Sequence, residues 1–304
     1  MIETIFERFS EFNTSVMLSA EASTHGEILR DKIRYEQYCS ISEGLPHSEL
    51  SADRQIEVST TWEGILDADV NNFQHNVVTA LIGRCVCKLD GCSDEVADTV
   101  ELLSLVHDLP EAISGDLTYD DAQKLGIDGH RNDNRALGQM LIEEDFPTIT
   151  PEIAAKIEDY LNDSKQKQPE TEVGQEFEIT ERIGYVRTAL IAQDVVNSRS
   201  INLIDKDQVH RLDWLTENVL SNQIPRLIEL ASSFESARWF LEVCEERISE
   251  AIFRLNDDKT RSERISPYYE ARGDDVKSRE YKWDDFIAAW INYDMQINSD
   301  MVPA

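Results

Sequence analysis

Residues 107–116 of this 304-residue chain hold an unusual run of polar side chains, His-Asp-Leu-Pro-Glu-Ala-Ile-Ser-Gly-Asp. The run follows the apolar stretch Leu-Leu-Ser-Leu-Val, so His107 and Asp108 stand at the end of a segment that we expect to be buried. Buried ionisable side chains are costly unless they pair with one another or bind a metal ion. An adjacent His and Asp, followed by the carboxylates Glu111 and Asp116, therefore predict a metal-centred hydrolytic site. The alternative is a helix end whose polar side chains are solvated.

Two other segments place a ligand-type side chain in line with apolar residues. His75 shares one face of a predicted helix with apolar residues, and Asp194 ends an apolar stripe of helical spacing. Both side chains are therefore expected to point inward. Taken singly, each has an ordinary alternative: a histidine satisfied within the core, or an acid that caps a neighbouring helix or pairs with an arginine. Together, His75, His107, Asp108 and Asp194 form a mixed nitrogen and oxygen set that suits one divalent ion of Mn, Co, Mg, Zn or Fe.

The pattern of the whole chain predicts an all-α fold, because apolar residues recur at spacings of three and four and Gly and Pro are scarce. We expect an N-terminal helical extension over residues 1–66, a catalytic core over 67–230 and a C-terminal helical extension over 231–304. Amphipathic helices are predicted within the last part at 231–255 and 283–297.

Two polar segments are predicted to lack regular structure. Residues 163–178 are expected to form a surface loop, or alternatively an insertion or lid, and the charge-dense residues 256–282 are expected to be loosely ordered. Asp205 and Asp207 lie in another polar stretch that is expected to be an exposed turn. They are the alternatives to Asp194 as the last metal ligand.

The net charge of −31 limits the partners of this chain. Such a surface repels duplex nucleic acid and anionic membranes, and no segment has the length of a membrane span or the pattern of a signal peptide. A cytoplasmic location is therefore expected. An acid-rich, Lys-poor surface also fits a high-salt environment, with an ordinary acidic protein as the alternative. An acidic enzyme that acts on anions must supply positive charge locally, and a bound metal ion does so.

The five cysteines do not predict a zinc site. Cys85, Cys87 and Cys92 lie close together, but their spacing does not match paired CxxC hooks, and the sequence shows no fourth ligand nearby. We expect reduced, structural thiols.

The order His75, then His107-Asp108, then Asp194 resembles the H…HD…D signature of the HD-domain superfamily of metal-dependent phosphohydrolases. Residues 107–116 are similar to the HD-x-x-E-x-x-x-G-D motif of its 5′-deoxynucleotidase branch. The resemblance covers about residues 67–230, and the terminal extensions lie outside it. It implies an HD-domain helical bundle whose four signature residues hold one divalent metal ion.

The resemblance also implies roles for the other polar residues. Glu111, one helical turn beyond His107, is the candidate general acid or base. Asp116 is expected to orient water or a sugar hydroxyl, or alternatively to cap the next helix. His130 and Arg131 are candidates for contact with a phosphate, with a surface turn as the alternative.

The implied activity is hydrolysis of a nucleotide phosphate, with a (deoxy)nucleoside 5′-monophosphate as the first choice of substrate. The alternatives are a deoxynucleoside triphosphate triphosphohydrolase, a phosphodiesterase of a cyclic or oligonucleotide messenger, and a non-catalytic nucleotide-binding scaffold. A homo-oligomer is compatible with each of these.

Overall fold

The computed structural model describes residues 11–31, 71–114, 137–138, 140–142, 146, 149–197, 206–257, 259, 261–271 and 274–300. These residues are helical apart from short turns, and none of them lies in a β-strand, so the predicted all-α class is confirmed. The helices are α1 (Glu11–Ala22), α2 (Thr24–Asp31), α3 (Asn72–Asp90), α4 (Asp94–Val106), α5 (Glu111–Ser114), α6 (Pro151–Ser164), α7 (Glu172–Asn197), α8 (Lys206–Ala231), α9 (Glu235–Leu255), a π-helical turn (Arg261–Ile265), α10 (Ser266–Ala271) and α11 (Val276–Asp300).

The described residues divide into two compact units. Those up to Glu181 form the first unit and those from Arg182 onward form the second, so the boundary falls within α7. This division differs from the predicted one, which placed boundaries after residues 66 and 230. Across the described ranges, no helix combines the length and the apolarity that crossing a membrane would require.

The first unit is organised around a hairpin of α3 and α4. The Asn71 side chain accepts a hydrogen bond from the Gln74 amide and starts α3, and Gly91 ends it with a left-handed φ of 73°. The Ser93 hydroxyl then accepts from the Val96 amide and starts α4. Because the link between the helices is so short, they run antiparallel and pack along their length.

A glycine allows the close approach of the helices in the first unit. A Cβ atom at Gly83 of α3 would lie 3.0 Å from Val100 Cγ1 of α4 and 3.4 Å from Thr180 Cγ2 of α7. Leu103 and Phe177 are fully buried in the same core. The first turns of α7 therefore belong to the packed interior with α3 and α4.

Helix α1 packs against α4 instead of forming a separate extension. The Asn13 side-chain amide donates to Glu101 Oε1 at 2.6 Å and to the Asp98 carbonyl at 2.9 Å. Glu101 is fully buried and also pairs with Arg84 Nε at 3.0 Å. This polar network explains why α1 joins the first unit.

The predicted loop over residues 163–178 is wrong in its second half, because α7 begins at Glu172. The turn before α7 is ordered by Asp163, whose carboxylate accepts from the amides of Glu170 and Thr171 at 2.9 and 3.0 Å. Phe177, on the first turns of α7, is fully buried. The polar composition misled because Glu176 and Glu178 of this segment lie on the buried face of α7, although their residue types are usually exposed.

In the second unit, α8 packs against α9 and α11. The predicted helix over 231–255 is confirmed as α9, and the helix predicted over 283–297 is confirmed within α11. Trp283, Phe286 and Trp290 of α11 are buried, so this helix packs within its own unit. Because α8 belongs with α9 and α11, the predicted core over 67–230 crosses the unit boundary.

The prediction that residues 256–282 are loosely ordered is wrong for most of their length. They contain the π-helical turn, α10 and the first residues of α11. Ile265 and Tyr269 are buried, and Arg261 Nη1 lies 3.3 Å from the buried carboxylate of Glu217. The high charge density of this segment supplies partners for buried acids, which composition alone does not reveal.

Candidate metal centre

The first turns of α3 carry a buried polar face. Asn72, His75, Asn76 and Thr79 follow one another at helical spacing, and each is at most 3% exposed. The Thr79 hydroxyl lies 3.2 Å from His75 Nδ1, within hydrogen-bond distance. Asn76 Nδ2 donates to the Leu105 carbonyl at 3.3 Å, which ties this face to the end of α4. The sequence prediction that His75 points inward is confirmed.

The end of α4 fixes the orientation and the tautomer of His107. The His107 amide donates to the Leu103 carbonyl at 2.9 Å, and His107 Nδ1 lies 2.9 Å from the Ser104 carbonyl. A carbonyl oxygen only accepts, so Nδ1 carries a proton, and in the neutral imidazole Nε2 carries the lone pair. The Phe177 ring packs edge-on against the imidazole at 5.5 Å between centroids.

The carboxylate of Asp108 lies between the two imidazoles. Asp108 Oδ1 is 3.1 Å from His107 Nε2, and Oδ2 is 3.5 Å from His75 Nε2. One nitrogen or oxygen atom from each of the three residues lies within 4.8 Å of the others. The side chains of His75, His107 and Asp108 are 3%, 6% and 18% exposed, so the cluster is buried with its more open side at Asp108.

This arrangement fits a divalent cation. His107 Nε2 is buried and has no hydrogen-bond partner among the described residues, although the Asp108 carboxylate is close. Two lone pairs that face each other repel unless a proton or a metal ion lies between them. Imidazole and carboxylate donors suit Mn, Fe, Co and Zn, so the donor set matches the family of ions expected from the sequence. His75, His107 and Asp108 are the residues that would hold it.

Glu111 follows the cluster directly in the chain. The turn after α4 places its amide 3.0 Å from the Asp108 carbonyl, and its Oε2 accepts a hydrogen bond from Asn72 Nδ2. Asn72 is one helical turn before His75 on the same face of α3. The Glu111 carboxylate is thus positioned by residues that adjoin two members of the cluster.

Asn72 is a residue that sequence reasoning missed. It is 1% exposed, and its Oδ1 has no hydrogen-bond partner within the described ranges. The signal was present, because a polar residue one turn before His75 shares the inward phase of that histidine. The amide was overlooked because asparagine is not a usual metal ligand or proton carrier.

The predicted inward orientation of Asp194 is wrong. Its side chain is 57% exposed and its Oδ2 forms an ion pair with Arg247 of α9 in the second unit. The stripe Ile179 to Leu190 is buried as predicted. Beyond Leu190 the buried side of α7 is formed by Ala192, Gln193 and Val196, which leaves Asp194 on the solvent side. The structure gives no support to Asp194 as the fourth ligand.

The other predicted site residues lie mostly outside the described part of the chain. Asp116, His130, Arg131 and Asp205 are all in this category. Asp207 lies in the first turn of α8, so the exposed turn predicted around it is wrong from Lys206 onward. The roles assigned to these residues stay predictions.

Comparison with protein-family models, with curated proteins and with solved structures gave no match to this chain. The properties of the site are therefore those of its own residues. Three ligand-type side chains meet in a buried position, and one imidazole nitrogen lacks a hydrogen-bond partner in the described structure. Glu111, three residues after Asp108, accepts a hydrogen bond from Asn72.

Proposed function

We propose that this protein is a metal-dependent phosphohydrolase that acts on a nucleotide. The observation that carries the proposal is the meeting of His75, His107 and Asp108, with the lone pair of His107 Nε2 buried beside the Asp108 carboxylate. Burying such donors together is costly without a proton or a metal ion between them. The HD-domain resemblance of the same residues supports phosphate ester hydrolysis as the reaction.

The charge of the chain supports the same conclusion. With a net charge of −31, the protein repels an anionic substrate over most of its surface. A divalent ion held by His75, His107 and Asp108 supplies local positive charge, lowers the pKa of water and polarises a phosphoryl oxygen when it is bound. The two imidazoles are neutral ligands, so the set leaves net positive charge for the substrate.

Glu111 is the candidate general acid or base of the proposed reaction. Its carboxylate accepts a hydrogen bond at Oε2 from the Asn72 amide, one helical turn before His75, and a carboxylate so held can take a proton from water or return one to the leaving oxygen. Asn72 is therefore a positioning residue. Its Oδ1, which accepts no hydrogen bond from any described residue, can accept one from a water molecule or a substrate hydroxyl.

A nucleoside 5′-monophosphate is the first choice of substrate, because residues 107–116 are similar to the motif of the 5′-deoxynucleotidase branch. The products distinguish the rivals. Inorganic phosphate and a nucleoside indicate a nucleotidase, inorganic triphosphate indicates a triphosphohydrolase, and a linear nucleotide indicates a phosphodiesterase. A cytoplasmic location, where free nucleotides occur, is part of the proposal.

The test is to incubate the metal-stripped protein with nucleoside mono-, di- and triphosphates and a cyclic dinucleotide. Mn, Mg, Co, Zn or Fe is added in turn and the products are identified by chromatography. We expect turnover that depends on the added metal and is absent from Asp108→Ala. Asp194→Ala is the matched control, since it removes an equally sized carboxylate that the structure places in a surface ion pair. Undiminished turnover in strong chelator would overturn the proposal.

A further inference from the structure

The turn that ends α3 brings the thiols of Cys87 and Cys92 together. Gly91 adopts a left-handed φ of 73°, and the Cys92 amide donates to the Cys87 carbonyl at 2.9 Å. In this type of helix end, the residue after the glycine packs against the residue in the last turn of the helix. Those two positions are usually apolar, and here both are cysteines. Their juxtaposition is therefore set by a rigid backbone turn.

A third ligand-type side chain reaches this pair from α7. One oxygen of Glu176 lies, with the two sulfurs of Cys87 and Cys92, in a group whose atoms are all within 4.8 Å of one another. Glu176 is only 2% exposed. Its Oε2 has no hydrogen-bond partner in the part of the chain that the structure describes, while the carboxylate accepts from the Cys92 thiol. Glu176 was missed by sequence reasoning because it lies far along the chain from the cysteines.

Among the described residues, the charged side chains that act on this group are acidic. Asp90 and Glu172 lie close to Glu176. A cation at the centre of the group would relieve this repulsion and replace the thiol protons.

We propose that Cys87, Cys92 and Glu176 form a second metal site that binds a borderline-soft divalent ion such as Zn²⁺. Two thiolates and a carboxylate are zinc ligands, and a water molecule can occupy the fourth position of a tetrahedral site. Ligands about 2.0–2.3 Å from a tetrahedral zinc ion are roughly 3.3–3.8 Å apart, so small side-chain adjustments complete the site. Cys87 and Glu176 are buried, and the half-buried Cys92 is the side from which the ion enters.

This site is distinct from the His75, His107 and Asp108 cluster. His75 lies in the first turn of α3 and Cys87 in its last turns, which are separated by roughly 18 Å along a helix of this geometry. The donors also differ in softness, because thiolates favour zinc whereas the imidazole and carboxylate set accepts harder ions. The two sites can therefore be occupied and removed independently.

Cobalt binding tests the proposal, because thiolate ligation of Co²⁺ produces an intense sulfur-to-cobalt absorption band in the near ultraviolet. The metal-stripped, reduced full-length protein is titrated with Co²⁺ and then with Zn²⁺. We expect the band to appear with one equivalent and to disappear when Zn²⁺ replaces Co²⁺. Cys92→Ser should abolish it, and Glu176→Gln should raise the Co²⁺ dissociation constant at least about tenfold.

Two control variants show whether the absorption band arises from this site. Cys85→Ser changes an exposed thiol on the same helix and should leave the band unchanged, and so should Asp108→Ala, whatever the fate of the hydrolytic activity. Cys92 is half-buried, so its variant avoids the core disruption that a change at Cys87 risks. The proposal is overturned if the wild-type protein shows no band, if Cys92→Ser retains it, or if a Cys87–Cys92 disulfide forms while the reduced protein binds no cobalt.

Discussion

The two units differ in how their buried ionisable groups are partnered. In the second unit, the fully buried Asp213 pairs with Arg254 and, at 3.3 Å, with Arg264. Glu217 is 1% exposed, pairs with Arg261 at 3.3 Å and accepts a hydrogen bond from Tyr269. Each of these acids has a guanidinium partner, so its charge is compensated within the protein.

The first unit contains buried atoms of metal-ligand type that are not paired with an arginine. His107 Nε2 and Glu176 Oε2 have no hydrogen-bond partner among the residues described, and both belong to groups of three ligand-type side chains. The same unit also contains Glu101, which is neutralised by Arg84 in the manner of the second unit. Glu101, Asp213 and Glu217 are thus each paired with arginine. The two groups of three ligand-type side chains are where we infer that a metal ion belongs.

The largest expected effect comes from Asp108→Ala. It removes the carboxylate that lies between the two imidazoles, so the first site should lose its ion and turnover should fall by at least about 10³-fold. Metal analysis and steady-state kinetics on the same preparation check both losses. A variant that hydrolyses substrate at the wild-type rate would show that this site is not the catalytic one.

Glu111→Gln should separate proton transfer from metal binding. Glutamine has the same size as glutamate, and its side-chain oxygen can still accept the hydrogen bond from Asn72. Because it cannot take up a proton, turnover should fall by roughly 10²–10⁴-fold. The metal content should stay at the wild-type value. Near-normal turnover would show that Glu111 is only a structural residue of the turn after α4.

Asp213→Ala tests whether the ion pairs between buried acids and arginines stabilise the second unit. It leaves Arg254 and Arg264 without their buried partner, and breaking such a pair costs about 3–5 kcal/mol in the free energy of unfolding. Urea denaturation measures this change. Folded protein should retain the wild-type metal content, since no predicted ligand is altered. Unchanged stability would mean that the arginines of the second unit do not act as structural partners.

The smallest effect is expected for Asp194→Ala. The Asp194 side chain, which pairs with Arg247, is 57% exposed. Exposed ion pairs contribute roughly 0–1 kcal/mol to the free energy of unfolding, because water and salt screen them. Neither the unfolding free energy nor the metal content should change beyond that. Loss of the bound metal in this variant would show that Asp194 is a metal ligand.

The sequence predicted the helical class and three members of the donor cluster, because both depend on local signals. The inward phase of His75 and the position of His107 and Asp108 at the end of an apolar run are readable over one or two turns of helix. The prediction for Asp194 failed because the buried side of α7 changes after Leu190, and which side of a helix is covered depends on its packing partners and not on its own spacing.

Contacts between distant segments were not predictable in the same way. The link from Asn72 to Glu111 and the approach of Glu176 to Cys87 and Cys92 depend on how α3, α4 and α7 pack. The structured part of residues 256–282 was missed for a related reason. A dense run of charges looks solvated until its buried partners, such as Glu217, are known.

Manganese binding tests the central claim most directly, because Mn²⁺ favours imidazole and carboxylate ligands over thiolates and so reports on the first site alone. Metal-stripped wild-type protein, His107→Ala and Cys92→Ser are each titrated with Mn²⁺, and the paramagnetic resonance signal of the free ion is followed. We predict one bound Mn²⁺ in the wild-type protein and in Cys92→Ser, and none in folded His107→Ala. Equal binding by the wild-type protein and His107→Ala, or no binding by the wild-type protein, would contradict the account.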